Sequence, residues 1–395
     1  MIKKLSCLLF ITFVAASCTM KNSEETSNDT SSDYITDSIA NMGEMHMLAG
    51  TYTSAEGSKG IYVYSFDTDT GASDSVSMVE VANPSYLVVS PNNQFVYSVG
   101  ENGEDDSYAH AFSFDSSSGQ IKLIDSQLTF GSSPAYITLD AQGNNLITAN
   151  YGGGSISQFN VNTNGTLSPL SNLFKFEGVG EDPVRQKQPH LHSVRYSPDG
   201  MFMFATDLGT DKIYRYKTIT SVFEGQPALL ENDTAVFATL AGTGPRHFDF
   251  HPNGLYFYLL GELSGEVIVY DYNMGDLQQK QTILADTVGA KGSADIHVSP
   301  NGKFLYASNR LQADGIAIFA IDSQDGTLTK VGYQLTAKHP RNFAITPNGK
   351  FLLVAGRDDN VIEVYSIEKK TGLLTNTNQD IVIDKPVCIK FAPMI

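Results

Sequence analysis

The stretch GTGPRHFDFHPNGLYFYLLGELSG, from Gly242 to Gly265, decides the fold. Large apolar residues alternate with other residues on both sides of the segment HPNG at 251–254, and a period of two is typical of β-strands. A Pro-Asn-Gly turn between two such runs predicts a β-hairpin. In that hairpin Arg246 and Glu262 lie at the outer ends of the two strands and come close together, so both are candidates for a site.

The same turn recurs along the chain at intervals of 46 to 57 residues. Its second position is occupied in turn by Pro91, Ala141, Pro198, Pro252, Pro300, Pro347 and Pro393. A third apolar strand follows the hairpins, as at 266–272 and 315–321, and a weaker fourth segment often comes next. Four antiparallel strands in a repeat of about 50 residues predict the blade of a β-propeller.

The two ends of the chain complete the ring. The last repeat has only its first strand, at 386–392, whereas the N-terminal region supplies three strands at 46–52, 60–66 and 76–82. We therefore predict an all-β, seven-bladed propeller over residues 46–395, with four antiparallel strands in each blade. The last blade is closed by the N- and C-terminal strands, which removes an open sheet edge.

The N-terminal residues are typical of an export signal. Two lysines precede an apolar run at 5–14, and the segment AASC at 15–18 resembles the lipobox of bacterial lipoproteins. We expect a lipoprotein signal peptide at 1–17, a lipid on Cys18 and a disordered tether at 18–45, which is rich in polar residues. The expected location is the periplasm or the cell surface, with the membrane reached only through this anchor.

Charge and cysteine content limit the partners. The formal net charge is −17, with 26 basic and 43 acidic residues, which argues against a nucleic acid or an anionic membrane surface as partner. Cys7 leaves with the signal peptide and Cys18 is expected to carry the lipid, so only Cys388 remains unmodified. We therefore expect no disulfide framework despite export. No cofactor and no metal are expected, because His and carboxylate residues lack the paired spacing of a metal site. A monomer is expected.

The register of the repeat maps the central channel. The first strand of a propeller blade is innermost, so equivalent positions in the seven blades form rings. The position after the strand-opening residue is occupied by Ser85, Ala135, His192, Arg246, Ala294, Arg341 and Val387. The end of the second strand is occupied by Glu101, Tyr151, Leu208, Glu262, Arg310 and Arg357, with Thr51 from the N-terminal region. Both rings lie at the same end of the hairpins, so their charged members are predicted to converge on one channel mouth.

Several motifs resemble those of the bacterial lactonase family of seven-bladed propellers. They are PHLHSVRYSPDG at 189–200, GPRHFDFHPNG at 244–254, LGELSGEVIVY at 260–270, YASNR at 306–310, AGTYTSAEGSKGIYVYSFD at 49–67 and EDPVRQKQPH at 181–190. That family includes propeller-type 6-phosphogluconolactonases and a fungal carboxymuconate cyclase. The resemblance implies four catalytic residues, which are His192, Arg246, Glu262 and Arg310.

These residue types can open a lactone. His192 or, as the second choice, Glu262 can take the proton of a water that attacks the ring carbonyl. Arg246 and Arg310 can stabilise the negative charge that develops on the carbonyl oxygen. Arginines can also hold a carboxylate or phosphate of the substrate through paired hydrogen bonds. The expected substrate-binding residues are Glu101, Arg185, His190, Arg341 and Arg357, and Arg310 can share this role.

Three functions remain open from the sequence. The first is hydrolysis of a sugar-acid lactone, the second is a lactone-forming cycloisomerisation, and the third is ligand or protein binding without catalysis. A small-molecule lactone or sugar acid is the expected partner of the two enzymes. Because 6-phosphogluconolactone is a cytosolic intermediate, export favours an unphosphorylated lactone. His247, His251, His297 and His339 are interpreted mainly as blade or turn residues.

Overall fold

A computed structural model describes residues 43–103, 106–219 and 229–395. Within these residues the chain forms seven antiparallel sheets, which are the blades of a closed propeller. The predicted all-β, seven-bladed fold is confirmed. The predicted signal peptide at 1–17 and nearly all of the predicted tether at 18–45 lie outside the described residues. Across the described ranges, the chain has no helix with the length and apolar character needed to cross a membrane.

The blades are numbered in chain order, and blade 7 combines both ends of the chain. It contains β1 (Glu44–Thr51), β2 (Gly60–Asp67), β3 (Ser73–Glu80) and the last strand, β29 (Pro386–Pro393). Blade 1 contains β4 (Leu87–Val89), β5 (Phe95–Gly100), β6 (Tyr108–Asp115) and β7 (Gln120–Leu128). Blade 2 contains β8 (Pro134–Leu139), β9 (Asn145–Asn150), β10 (Ser155–Asn160) and β11 (Asn172–Lys175). Blade 3 contains β12 (Leu191–Tyr196), β13 (Phe202–Asp207), β14 (Lys212–Thr218) and β15 (Leu229–Ala238).

The remaining blades repeat this order. Blade 4 contains β16 (Pro245–Phe250), β17 (Tyr256–Gly261), β18 (Glu266–Asn273) and β19 (Asp276–Leu284). Blade 5 contains β20 (Ser293–Val298), β21 (Phe304–Asn309), β22 (Gly315–Ile321) and β23 (Leu328–Leu335). Blade 6 contains β24 (Pro340–Ile345), β25 (Phe351–Gly356), β26 (Val361–Ile367), β27 (Leu374–Asn376) and β28 (Ile381–Val382), with a short 3-10 helix at Arg357–Asp359 between β25 and β26.

The ring closes by pairing the two ends of the chain. β1 pairs antiparallel with β29, from Met45 opposite Pro393 to Gly50 opposite Cys388. The first strand of every blade contacts the first strand of the next, so β4, β8, β12, β16, β20, β24 and β29 surround one channel. β1 begins at Glu44, two residues before the predicted start of the propeller. The strand starts earlier because Met45 is buried and pairs with Phe66 on its other side.

A β-bulge near the start of the first strand recurs in six of the blades described. In blade 4, Pro245 pairs with Gly261 and His247 with Leu260, so Arg246 is the extra residue. The shifts in the other blades leave Ala135, His192, Ala294 with Asp295, Arg341 and Val387 unpaired. A bulge re-aims the side chain of its extra residue. Six of the seven positions of the ring that the sequence register predicted lie at these bulges, and the seventh is Ser85 of blade 1.

Aromatic side chains pack one blade against the next. Phe204 of blade 3 lies 5.8 Å from Phe250 and 5.7 Å from Phe257 of blade 4, measured between ring centres. All three rings belong to one buried cluster between the two blades. The aromatic runs at 202–204 and 255–258 therefore pack blade 3 against blade 4.

A tyrosine hydroxyl joins three pairs of neighbouring blades. Tyr258 donates to the Gly326 carbonyl at 2.9 Å, in the turn before the fourth strand of the next blade. The equivalent bonds run from Tyr97 to Gly165 at 3.0 Å and from Tyr306 to Gly372 at 2.9 Å. Glycine is needed in this turn because φ is +72° at Gly326 and an added Cβ would lie 2.5 Å from the Tyr256 ring.

This bond gives a test of how the blades are held together. We expect Tyr258→Phe to lower the free energy of unfolding by about 1 kcal/mol, because the buried Gly326 carbonyl loses its donor. Tyr270→Phe is the matched control, since the Tyr270 hydroxyl is buried and has no hydrogen-bond partner among the described residues. Urea unfolding of the two variants measures the difference, and equal losses would contradict this role for Tyr258.

Candidate active site

Arg246 and Glu262 meet at one mouth of the channel, as the hairpin predicted. Arg246 Nε donates to Glu262 Oε2 at 2.8 Å, and both side chains are almost fully buried. Glu262 directly follows β17, and its backbone NH bonds the Gly244 carbonyl at 2.8 Å. Ser193 of blade 3 donates to the Arg246 carbonyl at 2.8 Å, and Arg246 Nη1 donates to the Ala294 carbonyl of blade 5. Three blades therefore fix the bulged Arg246.

Three guanidinium groups surround the Glu262 carboxylate. Besides Arg246, Arg185 Nη2 lies 2.6 Å from Glu262 Oε1, and Arg310 Nη2 lies 3.4 Å from Oε2. Arg185 comes from the loop between β11 and β12, whereas Arg310 directly follows β21 and is anchored by its Nε bond to the Gly292 carbonyl at 2.8 Å. The sequence placed Arg310 here by register, whereas Arg185 was expected only as a substrate-binding residue.

The cluster keeps Glu262 ionised. Burial by itself would raise the pKa of Glu262, but Arg310, Arg246 and Arg185 outweigh it and lower the pKa to about 2. Burial is also the largest influence on Arg310, and with Arg246 it lowers the pKa of that guanidinium to about 9 against the opposing effect of Glu262. Arg310 is still protonated at neutral pH. The group of four charges therefore carries surplus positive charge.

His192 lies beside this cluster as a buried, neutral imidazole. Its ring stands edge-on to Tyr151 at 5.3 Å and to His247 at 5.1 Å between ring centres. Burial, followed by Arg246 and His247, lowers the pKa of His192 well below 6.5. Within the described part of the chain, His192 Nδ1 is buried without a hydrogen-bond partner. The imidazole is therefore unprotonated at neutral pH, which is the protonation state that a general base requires.

Tyr151 connects His190 to the arginine cluster. His190 Nδ1 donates to the Tyr151 carbonyl at 2.8 Å, and the two rings stack with centres 4.3 Å apart. The Tyr151 hydroxyl accepts a bond from Arg185 Nη2 at 3.3 Å. The backbone NH of His190 donates to Asp207 Oδ1 at 2.7 Å, which holds the loop against blade 3. His190 therefore lies at the mouth with its Nδ1 already engaged.

Arg341 and Glu101 form a second group at the same mouth. Arg341 Nη2 lies 3.5 Å from Glu101 Oε2, and the Tyr52 hydroxyl donates to the same oxygen at 2.9 Å. The Arg341 guanidinium also lies over the Tyr52 ring, 5.5 Å from its centre. Burial raises the pKa of Tyr52, so this hydroxyl stays protonated. The predicted meeting of Arg341 and Glu101 is found, with Tyr52 as a partner that the sequence did not indicate.

Arg357 and Arg310 lie on either side of His339. Arg357 Nη2 lies 3.1 Å from His339 Nδ1, and Arg310 Nη1 lies 3.3 Å from His339 Nε2. Arg357 also pairs with Asp358 at 2.6 Å. Burial, Arg310 and Arg357 lower the pKa of His339 to about 3, so His339 is neutral and its one unprotonated ring nitrogen can accept from only one of the two guanidinium groups.

Besides Tyr52, the sequence reasoning missed the contributions of His339 and Tyr151 to this mouth, although His339 left a signal in the sequence. His339 directly precedes the first strand of blade 6, and His190 directly precedes the first strand of blade 3. They share one repeat position, two residues before the ring position of His192 and Arg341, and that shared position is the signal that could have found His339. Tyr151 stood in the second ring without being singled out, because its backbone carbonyl and hydroxyl partners depend on how neighbouring loops fold. Among the described residues, no group of three or more His, Cys, Asp or Glu is arranged to hold a metal ion.

The fold and the site define a class of protein, namely a seven-bladed propeller with a buried, arginine-rich site at one channel mouth. The chain belongs to the lactonase, 7-bladed β-propeller family, whose sequence model matches residues 46–391. A 6-phosphogluconolactonase of Formosa agariphila is 38% identical over 348 residues, which cover 86% of this chain and 97% of the relative.

Solved structures agree with this assignment. A Bacteroides fragilis protein, provisionally named a 6-phosphogluconolactonase, is 49% identical and has a TM-score of 0.86 over 89% of this chain and 98% of its own. The periplasmic gluconolactonase of Pseudomonas aeruginosa is 31% identical and has a TM-score of 0.82 over 89% of this chain and 100% of its own.

The low pKa of Glu262 predicts how stability depends on pH. We expect Glu262→Gln to lower the free energy of unfolding at pH 7 by about 3 kcal/mol, since the carboxylate interacts with its arginines only when ionised. A carboxyl whose pKa is depressed in the folded state contributes stability above its ordinary value of 4.5 and loses it as pH falls towards about 2. The difference between the two proteins should therefore shrink over that range in urea unfolding.

Glu101→Gln is the matched control, because Glu101 faces one arginine at 3.5 Å rather than three. We expect it to cost at most about 1 kcal/mol. A Glu262→Gln protein as stable as wild type at pH 7 would contradict the charge network described above.

Proposed function

We propose that the protein hydrolyses the lactone of a sugar acid at the mouth that contains Glu262. The observation that carries the proposal is a neutral, buried His192 beside guanidinium groups that outnumber their carboxylate partner. The names of the Formosa relative and of the Pseudomonas structure support a lactonase. They favour hydrolysis over the lactone-forming and non-catalytic alternatives.

Hydrolysis assigns a different task to each group. His192 accepts a proton from the water as the water oxygen attacks the lactone carbonyl carbon. Arg246 and Arg310 stabilise the negative charge that develops on the carbonyl oxygen, and burial strengthens that interaction. When the ring C–O bond breaks, protonated His192 returns the proton to the leaving oxygen. Both oxygens of the ionised Glu262 are engaged by guanidinium groups, so Glu262 positions the arginines.

The substrate that we propose is an unphosphorylated sugar-acid lactone. The positive charge around Glu262 suits the developing oxyanion and the carboxylate of the product without requiring a phosphate. The Pseudomonas structure supports this choice, because it is named a gluconolactonase and periplasmic. Arg185, Arg341 and Arg357, with Glu101 and His190, are the groups proposed to contact the rest of the substrate.

The assignment of His192 and Arg310 is tested by a pH-indicator assay with gluconolactone and 6-phosphogluconolactone. We expect His192→Gln to lower kcat by about 10²–10⁴-fold, because it removes the proton acceptor. Arg310→Met should lower kcat by about 10²–10³-fold through loss of oxyanion stabilisation. We expect wild-type protein to have the higher kcat/KM for gluconolactone.

The matched control is His251→Gln, because His251 lies in the turn at the opposite end of the blade 4 hairpin. Among the described residues, its side chain makes hydrogen bonds only to the Gly302 carbonyl and the Asn253 NH. It should keep wild-type kcat, and circular dichroism should establish that all variants fold. A His192→Gln protein with wild-type kcat would rule out the proposed base. A higher kcat/KM for the phosphorylated lactone would overturn the substrate but not the reaction.

We also propose that the protein is an exported, lipid-anchored monomer. The lipobox-like segment at 15–18 and the periplasmic location of the Pseudomonas relative support this proposal. We expect Cys18→Ser to move the protein from the membrane fraction to the soluble fraction, whereas Cys7→Ser, in the part removed with the signal, should leave it in the membrane. Equal fractionation of the two variants would contradict the anchor. Light scattering of the soluble Cys18→Ser protein tests the monomer.

A further inference from the structure

The channel has a cavity towards the end opposite the Glu262 mouth. The bulged ring that holds His192 lies near one end of the first strands, and Arg195 lies three residues further along, about 10 Å away at the rise of a β-strand. The equivalent positions in other blades include Val88, Thr138, His297 and Lys390, which line a cavity of about 310 Å³. We call this end of the channel the far mouth. The mechanism proposed above uses none of these residues.

Lys390 brings an uncompensated positive charge to this cavity. Its Nζ lies 3.3 Å from the Tyr86 hydroxyl and 4.4 Å from the centre of the Tyr86 ring. Among the described residues, no Asp or Glu oxygen lies within 4.0 Å of Lys390 Nζ. An ammonium group that is half-buried without a counter-ion can pair with an anion from solution.

The other charged groups at the far mouth are paired within the protein. Arg195 Nη1 donates to Asp249 Oδ1 at 2.6 Å and to the Phe248 carbonyl at 2.9 Å. Within the described residues, Nε and Nη2 of Arg195 make no hydrogen bond. They can therefore donate to a ligand in the cavity that Arg195 and Lys390 both line. His297 is engaged with the buried Asp295 at 3.0 Å. Lys390 is therefore the cation of the far mouth that has no carboxylate partner among the described residues, and one ammonium group suits a monoanion better than a phosphate dianion.

The walls of the cavity favour a ligand with an apolar body. Tyr86 and Tyr136 stack with ring centres 4.0 Å apart, and Val88 and Phe391 add apolar surface. Small-molecule sites usually combine such apolar walls with a few polar groups, and 310 Å³ is at the lower end of their usual volume. We infer that the far mouth binds a small organic monocarboxylate, with its carboxylate on Lys390 and Arg195 and its apolar body against Tyr86 and Tyr136.

Benzoate is a suitable probe, and its binding to the purified protein can be measured by calorimetry. We expect saturable binding that Lys390→Met weakens about tenfold, because one charge-assisted hydrogen bond is lost. Val88→Phe keeps the lysine but fills the cavity, so it should weaken binding as well. Benzamide, which has the same ring without the charge, should bind about tenfold more weakly than benzoate to the wild-type protein.

Two control variants test whether benzoate binding requires Lys390 rather than another basic side chain. Lys330→Met makes the same change at an amine that also lies over a tyrosine, 5.3 Å from the Tyr333 ring centre, on the outer strand of blade 5. Arg310→Met alters the mouth that contains Glu262. Both variants should bind benzoate as wild type does. Absence of saturable binding, equal affinity in Lys390→Met and Lys330→Met, or loss of binding in Arg310→Met would overturn the proposal.

Discussion

The pairing of β1 with β29 is the constraint on which the channel and its site depend. It places the first strands of all seven blades around one axis, so that equivalent residues of distant repeats face each other. Glu101 comes from blade 1, Arg310 from blade 5 and Tyr52 from the loop after β1. No single blade holds more than a part of the candidate site, and an open ring would disperse it.

Closure also explains how an acidic protein can present a basic site. The net charge of the chain is −17, yet Arg185, Arg246 and Arg310 converge on the carboxylate of Glu262. Arg246 and Arg310 are buried, and burying cations is costly unless they are paired and hydrogen-bonded. Glu262 and the carbonyls of Gly292 and Ala294 supply that pairing, so the positive charge is held in place without a bound ligand.

The sequence predicted the fold because turn spacing and strand alternation are local signals. The same counting placed Arg246, Glu262 and Arg310 at one mouth, since a repeated register carries positions from blade to blade. It did not reveal the bulge at Arg246, because an extra residue is visible only when two strands pair. His339 contacts an arginine of another blade and the loop residue Arg185 contacts a carboxylate of another blade, so the periodicity of the sequence could not predict these pairs.

The central claim is that His192 stays neutral at and below neutral pH and in that state accepts the proton of the attacking water. The dependence of kcat/KM on pH for lactone hydrolysis by the wild-type protein tests it most directly. Because burial and Arg246 lower the pKa of His192 well below 6.5, we predict a constant kcat/KM from about pH 7.5 to about pH 5.5. A loss of activity centred at the ordinary histidine pKa of about 6.5 would contradict it.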